Sequence, residues 1–167
     1  MKVFAYGSNI NLNRIRARVP SARKINNAVL SGYQLQFNKK SNDGSSKATI
    51  SSSADKEDRV WGVLYEIDQA EKSNLDVAEG LGKGYNELML TLDVDGYKVQ
   101  ASAYVADQNF IDDELVPYDW YIDYILLGAK QNAFPEYYIE KLQKINSKKD
   151  LNIDRNKKNK FILNGEI

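Results

Sequence analysis

The chain has 167 residues with 23 basic and 23 acidic side chains, and this balance gives no overall field that would attract nucleic acid or an anionic membrane. It has no cysteine, which excludes a disulfide framework, a thiolate nucleophile and a zinc site built on sulfur. It has no histidine either, so a Ser-His-Asp relay is excluded and proton transfer must use a carboxylate, a lysine or a tyrosine.

The first predicted element is a short strand formed by the apolar run at residues 3–5, and a four-residue turn follows it directly. The residues of this turn are Tyr6, Gly7, Ser8 and Asn9. A glycine-containing turn between a strand and a helix leaves several backbone N–H groups free to face one small ligand. The turn is therefore a candidate site for holding a carboxylate or for stabilising a developing oxyanion.

A short helix and three strands are predicted in the next part of the chain. Residues 11–19 carry apolar side chains at helical spacing, and Pro20 ends this helix. The apolar residues between positions 28 and 37 predict one long strand with a bend at Gly32. The other two predicted strands lie at residues 48–50 and 60–67.

The middle of the chain predicts a helix with clear signals at both ends. Asp68 and Glu71 have the spacing of a capping box, and Gly80 supplies a stop, so the helix is predicted over residues 68–79. The elements predicted after it are a hairpin of residues 87–94 and 98–106 that turns at Asp95 and Gly96, and two helices at residues 120–130 and 135–145.

The order of these elements predicts the fold class. Strands come first and helices later without regular alternation, which favours an α+β fold with a largely antiparallel or mixed sheet that can close into a barrel. The length suits a single domain with a real core, and no repeat or linker divides it. We expect this domain to span residues 1–146 and a basic extension to span residues 147–167.

The C-terminal extension has six basic residues against three acidic ones. We interpret this charge as solvated and not as a nucleic-acid arm, because no aromatic residues alternate with the basic ones. The apolar run Phe161, Ile162 and Leu163 predicts an additional closing strand.

Glu79 is the carboxylate that the pattern singles out for acid/base chemistry. Leu75, four residues earlier, and Ala78 belong to an apolar stripe that turns Glu79 toward the core side of its helix. Glu79 also lies in the last helical turn, where the helix dipole is negative. Partial burial and negative potential both disfavour the ionised form, so this carboxyl group could accept and return a proton near neutral pH.

Other interpretations of this region compete with that one. Glu79 could be a surface residue at a fraying helix end, before the glycine-rich segment at residues 80–84. That segment lacks the spacing of a phosphate-binding loop, and no helix follows it. Ser8 lacks the lysine partner that a serine nucleophile would need without histidine, so we expect it to donate a hydrogen bond or to form the turn.

Four blocks of the sequence resemble the γ-glutamylcyclotransferase family in order and spacing. They are residues 4–9, residues 60–65, residues 75–80 and a late block of residues 128–142. The resemblance covers roughly residues 1–145, and it implies a compact, mixed, mostly antiparallel and barrel-like sheet flanked by helices. It also implies an enzyme of small γ-glutamyl compounds that works without a metal or another cofactor.

The resemblance implies a role for each candidate residue. It makes Glu79 the catalytic acid/base. The residues that it places in contact with the substrate are Tyr6, Gly7, Ser8, Asn9, Tyr104 and Tyr121. The reaction it implies is attack of the substrate's own α-amino group on its γ-carbonyl group, which releases 5-oxoproline and an amine. Because the two reacting groups belong to one molecule, folding the substrate removes much of the entropic barrier.

Several alternatives stay open for the substrate. The leaving amine could be an amino acid, the ε-amino group of lysine or part of a biosynthetic intermediate, and a non-catalytic small-molecule-binding protein of the same fold is a further alternative. Glutathione-specific cyclotransferases differ in the first loop, so Asn9 argues against that specificity, although a link to glutathione metabolism is expected.

Location and assembly are predicted only in outline. The first apolar run is too short for a signal peptide, and no stretch approaches the roughly 20 apolar residues of a membrane span, so we expect a soluble cytoplasmic protein. The aromatic residues between positions 134 and 138 leave two interpretations open, a homodimer patch or a helix start that faces the core.

Overall fold

A computed structural model describes residues 1–163, which form seven strands and five α-helices. The strands are β1 (Lys2–Ala5), β2 (Arg23–Ser31), β3 (Tyr33–Lys40), β4 (Ser46–Ser52), β5 (Arg59–Glu66), β6 (Tyr85–Val94) and β7 (Tyr97–Ala106). The helices are α1 (Leu12–Arg16), α2 (Lys72–Glu79), α3 (Asp119–Gln131), α4 (Glu136–Gln143) and α5 (Ile153–Leu163). Short 3-10 turns precede α1 and α2 and follow β7.

Five strands close into a barrel in the order β1-β5-β2-β6-β7. All neighbouring pairs are antiparallel except β1 and β7, which close the barrel as a parallel pair with Val3 opposite Ser102. The predicted α+β fold with a mixed, mostly antiparallel, barrel-like sheet is therefore confirmed. Strand β1 lies between β5 and β7, and the loop that follows it lies at one end of the barrel.

The single long strand predicted over residues 28–37 is wrong, because the chain turns at Gly32. Gly32 has a φ of +73°, and its N–H group donates to the carbonyl of Asp58 at 2.7 Å. A positive φ interrupts an extended strand, and glycine adopts it without steric cost. The chain therefore leaves the barrel after β2, and β3 pairs with β4 in a separate two-stranded sheet.

The signals predicted around α2 and the β6–β7 hairpin are present in part. The predicted capping box does not form, because the Glu71 carboxylate accepts hydrogen bonds from Ser21 and α2 begins at Lys72, after a 3-10 turn. The side chain of Asp68 accepts a hydrogen bond from the N–H of Ala70, and Gly80 ends α2 in the left-handed conformation with a φ of 74°. Asp95 and Gly96 both have positive φ values, as a two-residue hairpin turn of type I′ requires. Helix α1 is shorter than predicted, although Val19 beyond its end is still fully buried.

The closing strand predicted at Phe161, Ile162 and Leu163 is also wrong, because these residues end helix α5. A closed barrel has no free edge that could accept another strand. The extension instead packs on α3, where Asp150 accepts a hydrogen bond from Nε1 of Trp120 at 2.8 Å. The boundary at residue 146 stays a prediction.

The aromatic residues before and within α4 face the core and not a partner surface. Phe134 and Tyr138 are 4% and 3% exposed, and Tyr137 is the exposed aromatic residue between them. These two buried rings cannot form a homodimer patch, so the core-facing interpretation is the correct one for them. Among residues 1–163, no helix is both long and apolar enough to cross a membrane.

Candidate active site

The loop after β1 forms the floor of the candidate site. Ser8 begins a single 3-10 turn, in which the N–H of Ile10 donates to the carbonyl of Gly7 at 3.0 Å. Within the described part of the chain, no hydrogen bond to another protein group uses the backbone N–H of Gly7, Ser8 or Asn9. These N–H groups are therefore available to a ligand, as the sequence predicts for this turn.

Gly7 lies in tight surroundings, because a side chain at this position would push its neighbours by a few tenths of an ångström. A Cβ atom on Gly7 would lie 3.1 Å from Cβ of Ala48 and 3.1 Å from the hydroxyl oxygen of Tyr121. Both neighbours are themselves buried, so they have little freedom to move away. The glycine lets β4 and α3 approach the loop closely and narrows the space above it.

Glu79 is carried to the same place by the end of α2. Leu75, one turn earlier, is fully buried and fixes the orientation of the helix. Ala78 is exposed, so its predicted place on the buried stripe is wrong. The Glu79 side chain is 18% exposed. The interpretation of Glu79 as a fraying surface residue is therefore rejected, and the carboxylate lies partly buried beside the loop.

Arg18 and Asn9 hold the Glu79 carboxylate in position. The amide nitrogen of Asn9 donates to Oε1 of Glu79 at 2.7 Å, and the guanidinium group of Arg18 forms an ion pair with the same oxygen. Arg18 also donates to Oδ1 of Asn9 at 2.9 Å, which closes a triangle of contacts. These contacts fix the orientation of the Glu79 carboxylate beside the loop.

The second oxygen of Glu79 is left without a partner. Both contacts fall on Oε1, and no group within residues 1–163 donates a hydrogen bond to Oε2. An ionised carboxylate can accept several hydrogen bonds, so an unused oxygen in a partly enclosed site is a free acceptor. The carboxylate is thus held by one atom and available at the other.

Tyr6 and Tyr104 connect the loop to the helix that carries Glu79. The hydroxyl of Tyr6 donates to the carbonyl of Tyr104, whose own hydroxyl donates to Oδ1 of Asp76 at 2.6 Å. Asp76 lies one turn before Glu79 on α2 and forms an ion pair with Lys72. This chain of contacts fixes the distance between strand β7 and α2.

Tyr121 and Tyr85 form the opposite side of the site around Ala48. The hydroxyl of Tyr121 accepts a hydrogen bond from the N–H of Ala48 at 3.0 Å, and the hydroxyl of Tyr85 donates to the carbonyl of Ala48 at 2.6 Å. Both rings are almost fully buried. They therefore give the site a rigid aromatic wall.

The tyrosines of the site stay protonated at neutral pH. Burial raises the pKa of Tyr6 and of Tyr85 well above the usual value, and burial also raises the pKa of Tyr121. Burial raises the pKa of Tyr104 as well, and its hydrogen bond to Asp76 adds to the effect. None of these phenols can act as the base near pH 7, so Glu79 is the acid/base candidate among these side chains.

A single cavity brings all the predicted site residues together. It encloses about 400 Å³ of space, including its open mouth. The predicted residues along its wall are Tyr6, Gly7, Ser8, Asn9, Glu79, Tyr104 and Tyr121. The same cavity is also lined by Ala48 and Tyr85, which the sequence analysis did not select.

Arg18 is the most important residue that the sequence analysis missed. Its signal was the run of arginines at positions 14, 16 and 18, which places an excess of positive charge just after the candidate loop. Tyr85 could have been noticed as the first residue of β6 after the glycine-rich loop that ends α2. Within residues 1–163, no three acidic, histidine or cysteine side chains are grouped as a metal site would require.

Comparison with known proteins agrees with this geometry. Residues 59–142 match the model of the AIG2-like family. The γ-glutamylcyclotransferase of Bos taurus is 33% identical over 149 residues, which covers 85% of this chain and 77% of the bovine protein. The Homo sapiens protein of the same name is 32% identical over 152 residues, with the same coverage.

A solved structure described as a γ-glutamyl cyclotransferase superimposes on almost the whole molecule. Its TM-score is 0.82 at 28% identity, and the match covers 96% of this chain and 98% of the other. Sequence and fold therefore agree over most of the chain. This chain belongs to the γ-glutamylcyclotransferase family of enzymes.

Proposed function

We propose that this enzyme releases 5-oxoproline and a free amine from a small γ-glutamyl substrate, with Glu79 as the acid/base. The observation that carries the proposal is the unpartnered Oε2 of Glu79 in the same cavity as the free N–H groups of residues 7–9. One group can move a proton, and the other groups can hold negative charge. Cyclisation of a γ-glutamyl compound needs both.

Proton removal from the substrate is the first step. The α-amino group is largely an ammonium ion near pH 7, because a terminal amino group has a pKa of roughly 8. Glu79 accepts a proton at Oε2, and the neutral amine then attacks the γ-carbonyl carbon. A carbon–nitrogen bond forms and closes a five-membered ring, while the carbonyl oxygen becomes an oxyanion.

Collapse of the tetrahedral intermediate releases the leaving amine. The bond between the γ-carbon and the leaving nitrogen breaks as protonated Glu79 delivers its proton to that nitrogen. Glu79 then takes the second proton from the ring nitrogen and passes it to the departing amine. Overall, the α-nitrogen loses two protons and the leaving nitrogen gains two, so the product amine departs as an ammonium ion and Glu79 ends as a carboxylate. The substrate supplies its own nucleophile, so no serine or cysteine nucleophile is required.

The loop and the tyrosines are proposed to position the substrate for this reaction. The N–H groups of Gly7, Ser8 and Asn9 hold the substrate α-carboxylate or the oxyanion. Tyr6, Tyr104 and Tyr121 bound the cavity and keep the γ-glutamyl group folded so that its two ends meet. Orientation of this kind can remove roughly 7 kcal/mol or more from the barrier of a well-aligned intramolecular step.

The proposal extends to the setting of the reaction. We place it in the cytoplasm and connect it with glutathione metabolism, because glutathione is itself a γ-glutamyl compound. Asn9 in the first loop argues against strict specificity for glutathione. The leaving amine could also be the ε-amino group of lysine or the amine portion of a γ-glutamylated biosynthetic intermediate.

A substrate panel tests the proposed reaction. The purified protein is incubated with γ-glutamyl amino acids, γ-glutamyl-ε-lysine and glutathione, and both 5-oxoproline and the free amine are quantified. We expect 5-oxoproline and the amine in equal amounts from at least one γ-glutamyl compound. Binding of the panel compounds without release of product from any of them would favour the non-catalytic binding protein and overturn the proposal.

A further inference from the structure

A second cavity adjoins the candidate active site and is rich in positive charge. It encloses about 420 Å³, including its opening, and Glu79, Ser8, Tyr85 and Tyr121 belong to the walls of both cavities. The basic residues along its wall are Arg14, Arg18, Lys39 and Lys47. We call this space the cationic cavity.

Only half of these cations have an acidic partner. Arg18 is paired with Glu79, and Nζ of Lys47 lies 2.7 Å from Oδ2 of Asp43. Arg14 and Lys39 form no ion pair with any carboxylate within residues 1–163. The cationic cavity therefore has a surplus of two positive charges.

Lys39 is the clearest case of an unpaired buried cation. The residue is only 8% exposed, and its Nζ atom lies 4.6 Å from the centroid of the Tyr85 ring. Gly84 gives it this place, because a Cβ atom on Gly84 would lie 2.8 Å from Nζ of Lys39. Burial lowers the pKa of Lys39, as expected for an ammonium group removed from water.

Arg14 is partly buried and also has unused hydrogen-bonding capacity. One terminal nitrogen donates to Oδ1 of Asn159 at 2.8 Å, but its Nε atom is buried without a partner. Burial lowers the pKa of Arg14 to about 10 and the pKa of Lys47 to about 8. Asp43 compensates Lys47, whereas no carboxylate within residues 1–163 pairs with Arg14, and holding an unpaired cation out of water is unfavourable.

We infer that the cationic cavity binds a carboxylate on the leaving amine, so that the enzyme prefers γ-glutamyl compounds whose leaving group is an acidic amino acid. This inference rests on the proposed function. Glu79 must lie close to the leaving nitrogen in order to protonate it, and Glu79 belongs to both cavities. The substituent of that nitrogen therefore extends from the site of ring closure into the cationic cavity.

The charge of the leaving amine can be varied with little change in its shape. The probes are γ-glutamyl-glutamate, γ-glutamyl-glutamine and the α-amide of γ-glutamyl-glutamine, whose leaving portions carry two, one and no carboxylates. All three retain the α-carboxylate of the γ-glutamyl group. We expect kcat/KM for 5-oxoproline release to fall about tenfold for each carboxylate removed, mainly through KM, because a charged hydrogen bond in a partly enclosed site contributes about this much.

The outcomes separate this inference from the proposed function. Equal kcat/KM values for the three probes would overturn the inference and leave the cyclotransferase reaction intact. If neither these probes nor any compound of the substrate panel is converted, the proposed function fails. Calorimetric binding of the same probes to Glu79→Gln then decides the inference independently, because an unchanged affinity across the series would overturn it without any turnover.

A pair of neighbouring lysines provides a matched test. Lys39→Met removes the buried charge but keeps a chain of similar length, while Lys40→Met removes the exposed charge of the next residue on β3. We expect Lys39→Met to reduce the preference for γ-glutamyl-glutamate over γ-glutamyl-glutamine about tenfold and Lys40→Met to keep it.

Stability provides the second readout for the same two variants. Lys39→Met should raise the melting temperature, because it removes an unpaired buried charge that is retained for binding and not for folding. An unchanged substrate preference in Lys39→Met would contradict the inference. If that variant does not fold, the three probes on the unmodified enzyme still decide the question.

Discussion

Within residues 1–163, two largely buried carboxylates are held by an arginine, and they differ in how completely they are bonded. Asp150 near the C-terminus accepts hydrogen bonds on both oxygens, from Trp120, Arg155 and the N–H of Asn152, at 2.6 to 2.9 Å. Within residues 1–163, Glu79 accepts only on Oε1, and the residue lines the cavity. Both side chains are largely buried, at 0% and 18% exposure.

The difference separates a structural carboxylate from a reactive one. A carboxylate whose acceptor positions are filled stabilises the fold, because losing any partner leaves a buried polar group unsatisfied. A carboxylate with a free oxygen beside a cavity can exchange a proton with a ligand. Burial and an arginine partner are common to Asp150 and Glu79, so these two features alone do not identify a catalytic acid/base.

The largest expected effect is on turnover, and it should distinguish the two carboxylates. Glu79→Gln should lower kcat for 5-oxoproline release about 10³-fold, because the amide cannot accept the substrate proton. Asp150→Asn should keep kcat within about threefold at temperatures where the variant is folded. Steady-state rates measured for both variants against the same substrate make the comparison. An equal loss in both variants would show that the two carboxylates do not differ in function.

Gly7→Ala should impair the reaction without touching the carboxylate. The added Cβ atom would press on Ala48 and on the Tyr121 hydroxyl, so the N–H groups of the loop should shift and kcat/KM should fall about a hundredfold. The double variant Gly7→Ala/Ala48→Gly removes one of the two contacts. We expect it to recover part of the lost kcat/KM, and a Gly7→Ala enzyme with normal kcat/KM would contradict the assigned role of the loop.

The free energy of unfolding should be affected more by the change at Asp150 than by the change at Glu79, which is the reverse of the order expected for turnover. Asp150→Asn should lower the free energy of unfolding by about 2 kcal/mol, less than for a fully buried pair because Arg155 is 31% exposed. Glu79→Gln should change it by less, about 1 kcal/mol, because Glu79 has fewer hydrogen-bond partners and the amide oxygen can still accept from Asn9 and Arg18. Urea unfolding measures both, with Asp154→Asn as an exposed control on the same segment. A larger destabilisation from Glu79→Gln than from Asp150→Asn would reverse the comparison.

The smallest expected effect is a change in acid sensitivity. Hydrogen bonds from Arg155 hold the pKa of Asp150 well below its usual value near 3.8. A depressed folded-state pKa gives stability that is present above about pH 4 and is lost as the pH falls. Asp150→Asn should therefore lose about 1 kcal/mol less than the unmodified protein between about pH 4 and pH 2 in urea unfolding. Parallel pH profiles for the two proteins would contradict this role of Asp150.

Local signals explain why much of the fold was predictable. The capping residue Asp68, the stop at Gly80 and the turn at Asp95 and Gly96 act within a few residues, and each is found in the structure. The separation of β2 from β3 was not predictable, because one glycine can bend a strand or end it. The helix at residues 161–163 depends on the closed barrel, which is a long-range property.

The candidate site divides in the same way. The residues that were predicted are those of the first loop, together with Glu79, Tyr104 and Tyr121, and all of them line one cavity. Arg18 and Lys39 were missed because their contacts cross the fold. Arg18 reaches a residue 61 positions away, and Lys39 lies over the ring of Tyr85 on another sheet. Nothing in the spacing of the sequence specifies such pairs.

The most direct test of the central claim is calorimetric titration of Glu79→Gln with a γ-glutamyl substrate of the unmodified enzyme, followed by assay of the recovered sample for 5-oxoproline. If Glu79 moves the proton and other groups hold the substrate, the variant binds the compound and returns it intact. Conversion to 5-oxoproline at the rate of the unmodified enzyme would contradict the account.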